Sequence, residues 1–144
     1  MVGSRELVRF LRVAARSYMF STAMTPMASA TLIKALEVIE NEPERRKNLQ
    51  DNSKYLREKF NEMGYDTVGS QTQIVPILIG DEKKAIAFSR KIFERGIFGP
   101  SVRWPAVDKG KARIRFTVMA THTKEHLNQL IGASRDIGKE LNLI

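Results

Sequence analysis

Two arginines in one short segment are the residues whose type and spacing best suit the binding of an anion. Polar and apolar residues alternate along Ala112-Arg-Ile-Arg-Phe-Thr-Val118, which predicts a half-buried strand with Arg113 and Arg115 on one face. A guanidinium held on a sheet face presents a planar fork of donors that matches a carboxylate or a phosphate. Surface salt bridges would use the same residues, and the alternation does not distinguish Arg113 from Arg115.

A second candidate anion site precedes a predicted helix. The segment Phe20-Ser-Thr-Ala23 supplies the hydroxyls of Ser21 and Thr22, just before Thr25-Pro26, where a capping hydroxyl and a proline favour a helix start. Backbone amides at a helix start carry partial positive charge and can hold a phosphate. Ordinary helix capping explains the same residues, so both interpretations stay open.

The remaining candidates are a histidine pair and a long loop. His122 and His126 have a spacing that suits a metal, but no third ligand or HExxH motif accompanies them and the chain has no cysteine, so the sequence predicts no metal site. The loop 99–110 carries Arg103 and the only tryptophan, Trp104. It is long enough either to close over a ligand or to pack back on the domain.

The composition describes one globular chain with a basic surface. Its 144 residues are 42% hydrophobic and 28% charged, which indicates enough apolar material for a core. Lysine and arginine exceed aspartate and glutamate by 24 to 16, and a net charge of +8 is consistent with anionic partners. The apolar stretches are too short to cross a membrane and the N-terminus does not resemble a signal peptide, so we expect a cytoplasmic protein without a membrane partner.

The periodicity predicts an α+β fold, in which a small, mainly antiparallel sheet is covered by helices and preceded by long helices. We expect residues 1–24 to form an N-terminal helix and connector, and residues 25–144 to form the α+β domain. The predicted helices cover 5–15, 26–41, 43–63, 82–95 and 124–141, and the predicted strands cover Tyr65–Val68, Gln73–Ile79 and Ala112–Val118.

Several segments, in this order, resemble the C-terminal part of the α-oxoamine synthases. These enzymes are pyridoxal-phosphate-dependent members of the class II aminotransferase family, and they include glycine C-acetyltransferase and 8-amino-7-oxononanoate synthase types. The matching segments are Val2-Gly-Ser-Arg-Glu-Leu7, Phe20-Ser-Thr-Ala23 with Pro26, Glu42-Pro-Glu-Arg-Arg46, Tyr55-Leu-Arg57, Ile74-Val-Pro76, Ala112-Arg-Ile-Arg115 and Ala120-Thr-His-Thr123.

The resemblance implies that the chain is the C-terminal small domain of a fold-type I pyridoxal-phosphate enzyme. The complete enzyme would join an amino acid to the acyl group of an acyl-CoA and release CoA. It implies that Arg115 binds the amino-acid carboxylate, and that Arg113 is structural. It further implies a homodimer in which Ser21 and Thr22 contact the cofactor phosphate of the neighbouring subunit. No nucleic-acid partner is implied.

One departure from the family concerns the catalytic residues. The family's lysine that binds the cofactor covalently, its pyridine-nitrogen aspartate and its stacking histidine match no residue of this chain. We therefore expect no catalytic residue in the chain and no activity from the chain by itself. The alternative hypothesis is a noncatalytic basic α+β module that binds nucleic acid or a protein partner, for which Arg5, Arg9, Arg12 and Arg16 supply a basic stripe.

Overall fold

The structure is a computed structural model that describes residues 3–20, 22 and 24–144. The chain divides into two compact units, Met1–Asn41 and Glu42–Ile144. This boundary follows the helix that begins at Pro26, whereas the predicted division precedes it. The division at residue 24 stays a prediction about the domains of the family.

Three helices form the described part of the first unit. Ser4 caps the first, accepting a hydrogen bond from the Leu7 amide at 3.2 Å, and Thr25 caps the third in the same way. The Thr25 cap agrees with the sequence prediction, and Ser4 likewise places a hydroxyl at a helix start. The helices are α1 (Arg5–Ala14), α2 (Arg16–Met19) and α3 (Pro26–Asn41).

The second unit contains three helices and a three-stranded sheet among its described residues. The strands follow the order β1-β3-β2 and both pairings are antiparallel, which confirms the predicted class of sheet. The elements are α4 (Pro43–Glu62), β1 (Ile74–Gly80), α5 (Glu82–Glu94), β2 (Ser101–Val102), β3 (Ala112–Thr117) and α6 (Lys124–Glu140). Pro76 lies on the edge strand β1, as expected for a residue with no amide to donate.

The predicted strand Tyr65–Val68 is wrong. Val68 adopts a left-handed φ of 55°, and its amide donates to the Asp66 side chain at 2.7 Å, so the chain turns here. The Leu78 amide of β1 donates to the Asp66 carbonyl at 2.9 Å, but the segment forms no strand. Tyr65 lies in the core, where its hydroxyl donates to the carbonyl of Ser134 at 2.8 Å. Tyr65, which suggested a strand, therefore connects the segment after α4 to helix α6.

The core lies between the sheet and helices α4, α5 and α6. Phe60 of α4 is fully buried, with its ring centroid 5.6 Å from that of Phe116 in β3. Ile114 and Phe116 are buried whereas Arg115 and Thr117 are exposed, which confirms the predicted alternation of β3. The sheet therefore presents Arg115 on the face opposite the core.

Two phenylalanines provide a matched test of this core. Phe60 is 0% exposed and Phe93 is 66% exposed. Because Phe60→Ala leaves a cavity, we expect it to lower the free energy of unfolding by about 3–5 kcal/mol. Phe93→Ala should change it by less than about 0.5 kcal/mol. Urea denaturation of the two variants measures both values, and equal losses would contradict this location of the core.

Candidate functional site

The central strand β3 holds Arg115 between two neighbours. Arg115 pairs with Pro76 of β1, and its backbone amide donates to the Pro100 carbonyl at 3.0 Å. Among the residues that the structure describes, no hydrogen bond or ion pair involves its guanidinium. A rigidly placed strand therefore presents a complete fork of donors to a ligand.

Arg113, on the same face of the strand, is differently placed. Its Nε donates to the carbonyl of Lys111 at 3.2 Å, and the residue is half-buried. The two arginines are thus chemically distinct, although the sequence pattern treats them alike. Arg113 is bound to its own backbone turn, and Arg115 is available.

Arg115 borders a cleft of about 520 Å³, here called the histidine cleft. Its polar side chains are Arg115, Thr117, His122, His126 and Gln129, and its walls are otherwise largely apolar. The walls are formed by Leu56, Gly96, Ile97, Phe98, Pro100, Phe116, Val118, Met119, Leu127 and Leu130. A concave site with apolar walls and a few convergent polar groups is typical of small-molecule binding.

Arg115 also borders a second cleft of about 460 Å³, here called the tryptophan cleft. This cleft lies in the predicted loop, whose Ser101 and Val102 form strand β2. Arg103 donates to the Ser101 hydroxyl at 3.3 Å, and the Lys109 ammonium lies 5.6 Å from the centroid of the Trp104 ring. The loop therefore brings a second guanidinium, that of Arg103, to the cleft that Arg115 borders.

The two histidines are positioned by backbone amides at the start of α6. Nδ1 of His122 accepts from the Met119 amide at 3.2 Å, and Nδ1 of His126 accepts from the Thr123 amide at 3.3 Å. His126 and Thr123 form a reciprocal capping box, and the two ring centroids are 6.1 Å apart. Burial, and secondarily the charge of His126, lower the pKa of His122 below its ordinary value.

The sequence prediction missed the position of these histidines beside Arg115. Their spacing was considered only for metal binding, and the sequence predicted no metal site. No cluster of three His, Cys, Asp or Glu residues that could hold a metal occurs within residues 3–20, 22 and 24–144. Their location in the sequence, just beyond the end of β3, was the signal that could have predicted this position. A residue that follows a strand and begins a helix lies at the edge of the sheet, near the strand's own side chains.

The second predicted site is described only in part. Ser21 lies outside the described residues. Thr22 is exposed, and its amide donates to the Phe20 carbonyl at 2.8 Å.

In the described part of the chain, no helix has both the length and the apolar character needed to span a membrane.

Comparison with known proteins defines the class of protein. Residues 1–133 match the family model for class I and II aminotransferases. The chain belongs to this family and, within it, to the α-oxoamine synthases, which confirms the resemblance noted in the sequence.

Two curated relatives show which members of the family the chain is similar to. The chain is 43% identical, over its full length, to the 8-amino-7-oxononanoate synthase of Thermoanaerobacter pseudethanolicus. It is 44% identical over 142 residues to the 8-amino-7-oxononanoate synthase/2-amino-3-ketobutyrate coenzyme A ligase of Thermus thermophilus. In each case it spans 36% of the relative's length.

Solved structures confirm the α+β fold. The serine palmitoyltransferase of Sphingomonas wittichii matches 99% of this chain with a TM-score of 0.80 and 26% identity. The 8-amino-7-oxononanoate synthase of Francisella tularensis matches 96% of it with a TM-score of 0.73 and 26% identity. This chain covers 36% and 40% of those two chains, respectively.

The lowered pKa of His122 makes stability depend on pH. The folded state favours the neutral imidazole, so this stabilisation is complete above the ordinary pKa of 6.5 and is lost as the pH falls through the lowered folded value. We expect the free energy of unfolding to decrease more between pH 7.5 and pH 5.0 in the wild type than in His122→Asn. Urea denaturation across this range measures the difference, and parallel curves would contradict it.

Proposed function

We propose that this chain is the C-terminal part of a pyridoxal-phosphate-dependent enzyme that transfers an acyl group from an acyl-CoA to an amino acid. The names of the relatives support an 8-amino-7-oxononanoate synthase type or a glycine C-acetyltransferase type. We further propose that the complete enzyme is a cytoplasmic homodimer. The single observation that carries this proposal is the unpartnered Arg115, held on the central strand where two clefts meet.

Arg115 binds the carboxylate of the amino-acid substrate. Its guanidinium donates hydrogen bonds to both carboxylate oxygens, and ladder pairing on both sides of β3 prevents it from moving with a loop. Arg113 supports the turn at Lys111 through its Nε and does not contact the substrate. The lining of both clefts contains no acidic side chain that would compete for Arg115.

The donors in this chain fit part of the cofactor. Hydroxyl groups at Ser21 and Thr22 suit its phosphate, and Thr22 is exposed, as a contact with the neighbouring subunit requires. When bound, pyridoxal phosphate serves as the electron sink of the reaction. Neither cleft is lined by a lysine, so the group that binds the cofactor covalently is assigned to another part of the complete enzyme.

Exposed apolar side chains in the first unit support a larger assembly. Helices α1 and α3 bury none of their described residues, and Phe10 and Val13 are 65% and 73% exposed. Apolar helix faces of this kind are normally covered. We assign their cover to the rest of the enzyme and to its second subunit.

The product named by the relatives indicates a substrate class. By its name, 8-amino-7-oxononanoate is a linear nine-carbon amino-oxo acid. An acyl group that ends in a carboxylate is therefore the donor that we propose for an enzyme of this type. A glycine C-acetyltransferase would instead use a short acyl group without that second carboxylate.

Replacing Arg115 tests the proposal. In the complete enzyme, Arg115→Ala removes a charge-assisted hydrogen-bond pair of roughly 1.5–3 kcal/mol, so the amino-acid KM should rise about 10- to 150-fold. Arg115→Lys should recover part of this loss. The matched control Arg113→Ala should leave the amino-acid KM within about twofold. Steady-state kinetics measures all three variants, and an unchanged amino-acid KM in Arg115→Ala would refute the assignment.

Replacing Thr22 tests the phosphate contact. Thr22→Val removes one hydroxyl from a charged acceptor, and we expect cofactor affinity in the complete enzyme to fall roughly tenfold or more. Thr31→Val is the matched control, because the Thr31 hydroxyl already donates to the Met27 carbonyl within α3. Equilibrium dialysis of the cofactor compares the two, and equal affinities would argue against Thr22 as a phosphate ligand.

A further inference from the structure

The histidine cleft contains groups that the proposed role of Arg115 does not use. Two imidazoles and the Gln129 amide share the cleft with apolar side chains, and none of the lining residues is acidic. Phe98 and Met119 are 77% and 53% exposed at this cleft, although both are large and apolar. The cleft therefore combines uncovered apolar area with donors that have no acidic partner.

The hydrogen bonds of the two histidines determine what they offer to a ligand. Each imidazole accepts a backbone amide at Nδ1, and a neutral ring that accepts at Nδ1 carries its proton at Nε2. In the described part of the chain, neither Nε2 has a hydrogen-bond partner. His122 and His126 thus present two N–H donors on rings whose centroids are 6.1 Å apart.

These features together select one class of ligand. A volume of about 520 Å³ lies within the usual range of small-molecule sites. An inorganic anion would leave the apolar walls in contact with water, whereas a neutral hydrocarbon would bury the Nε2 donors without acceptors. A linear aliphatic chain that ends in a carboxylate satisfies the walls and the donors at once.

We propose that the histidine cleft binds the remote carboxylate end of a linear acyl chain, with His122 and His126 donating from Nε2 to that carboxylate. Phe98, Met119 and Leu130 contact its methylene groups. Arg115 remains the ligand of the amino-acid carboxylate. This inference rests on the proposed function and specifies which residues make the enzyme select an acyl donor with a second carboxylate.

Heptanoate is the direct probe, because it reproduces carbons 1 to 7 of the nine-carbon product. The chain has only two histidines, so nitrogen-15 NMR of the 144-residue protein resolves each imidazole. We expect saturable shifts of both Nε2 signals with heptanoate and none with heptanamide. The absence of a saturable shift, or equal shifts with heptanamide, would overturn the proposal.

Two conservative variants test the imidazole donors while they keep the hydrogen-bond acceptors that the fold uses. His122→Asn and His126→Gln keep a side-chain acceptor for the backbone amide, and glutamine is a usual partner in a capping box. Each should weaken heptanoate binding about tenfold, followed through the Met119 methyl signal. Arg90→Gln removes a positive charge outside this cleft and should leave the affinity unchanged. An equal loss in Arg90→Gln would show nonspecific attraction and overturn the proposal.

Kinetics of the complete enzyme distinguish this inference from the proposed function. His126→Gln should lower the ratio of kcat/KM for a carboxylate-ended acyl-CoA to that for its methyl-ended counterpart about tenfold, with the amino-acid KM unchanged. If Arg115→Ala raises the amino-acid KM while this ratio stays constant, the inference alone fails. If heptanoate binds as expected while Arg115→Ala has no effect, the proposed function fails and the carboxylate site stands.

Discussion

The two-residue period of β3 is the constraint on which this structure depends. Successive side chains of a strand point to opposite faces, so burying Ile114 and Phe116 against the helices forces Arg115 outward. A shift of one residue in register would bury the arginines and expose the core residues. The free energy of core packing therefore fixes the direction of the candidate ligand-binding group.

Packing of α6 transmits the same constraint to the histidines. The Tyr65 hydroxyl donates to the Ser134 carbonyl, and a Cβ at Gly138 would collide with that hydroxyl, so the helix approaches the end of α4 closely because residue 138 is glycine. Once α6 is seated, its first turn holds His126 at the margin of the cleft. Burial raises the pKa of Tyr65, which keeps this hydroxyl a donor.

Local chemistry predicted most helix and strand boundaries well. The predicted helices 82–95 and 124–141 begin where the structure has them. Asp81 and Thr123 cap these helices, α5 and α6, because a short polar side chain before an apolar period satisfies free backbone amides. The two errors have different causes. The four-residue helix α2, which the prediction omitted, has no capping side chain. The segment Tyr65–Val68 contains strand-forming residues, but the place of Tyr65 in the core depends on its hydrogen bond to the distant Ser134.

Side-chain types and spacing were sufficient to establish the α+β class, the outward face of β3 and the family of the chain. They did not separate Arg113 from Arg115, since that difference lies in a hydrogen bond to Lys111. Nor did they place the histidines in one cleft with Arg115 and Leu56. Periodicity reports which face of an element is buried, whereas the distance between elements follows from the packing of residues far apart in the chain.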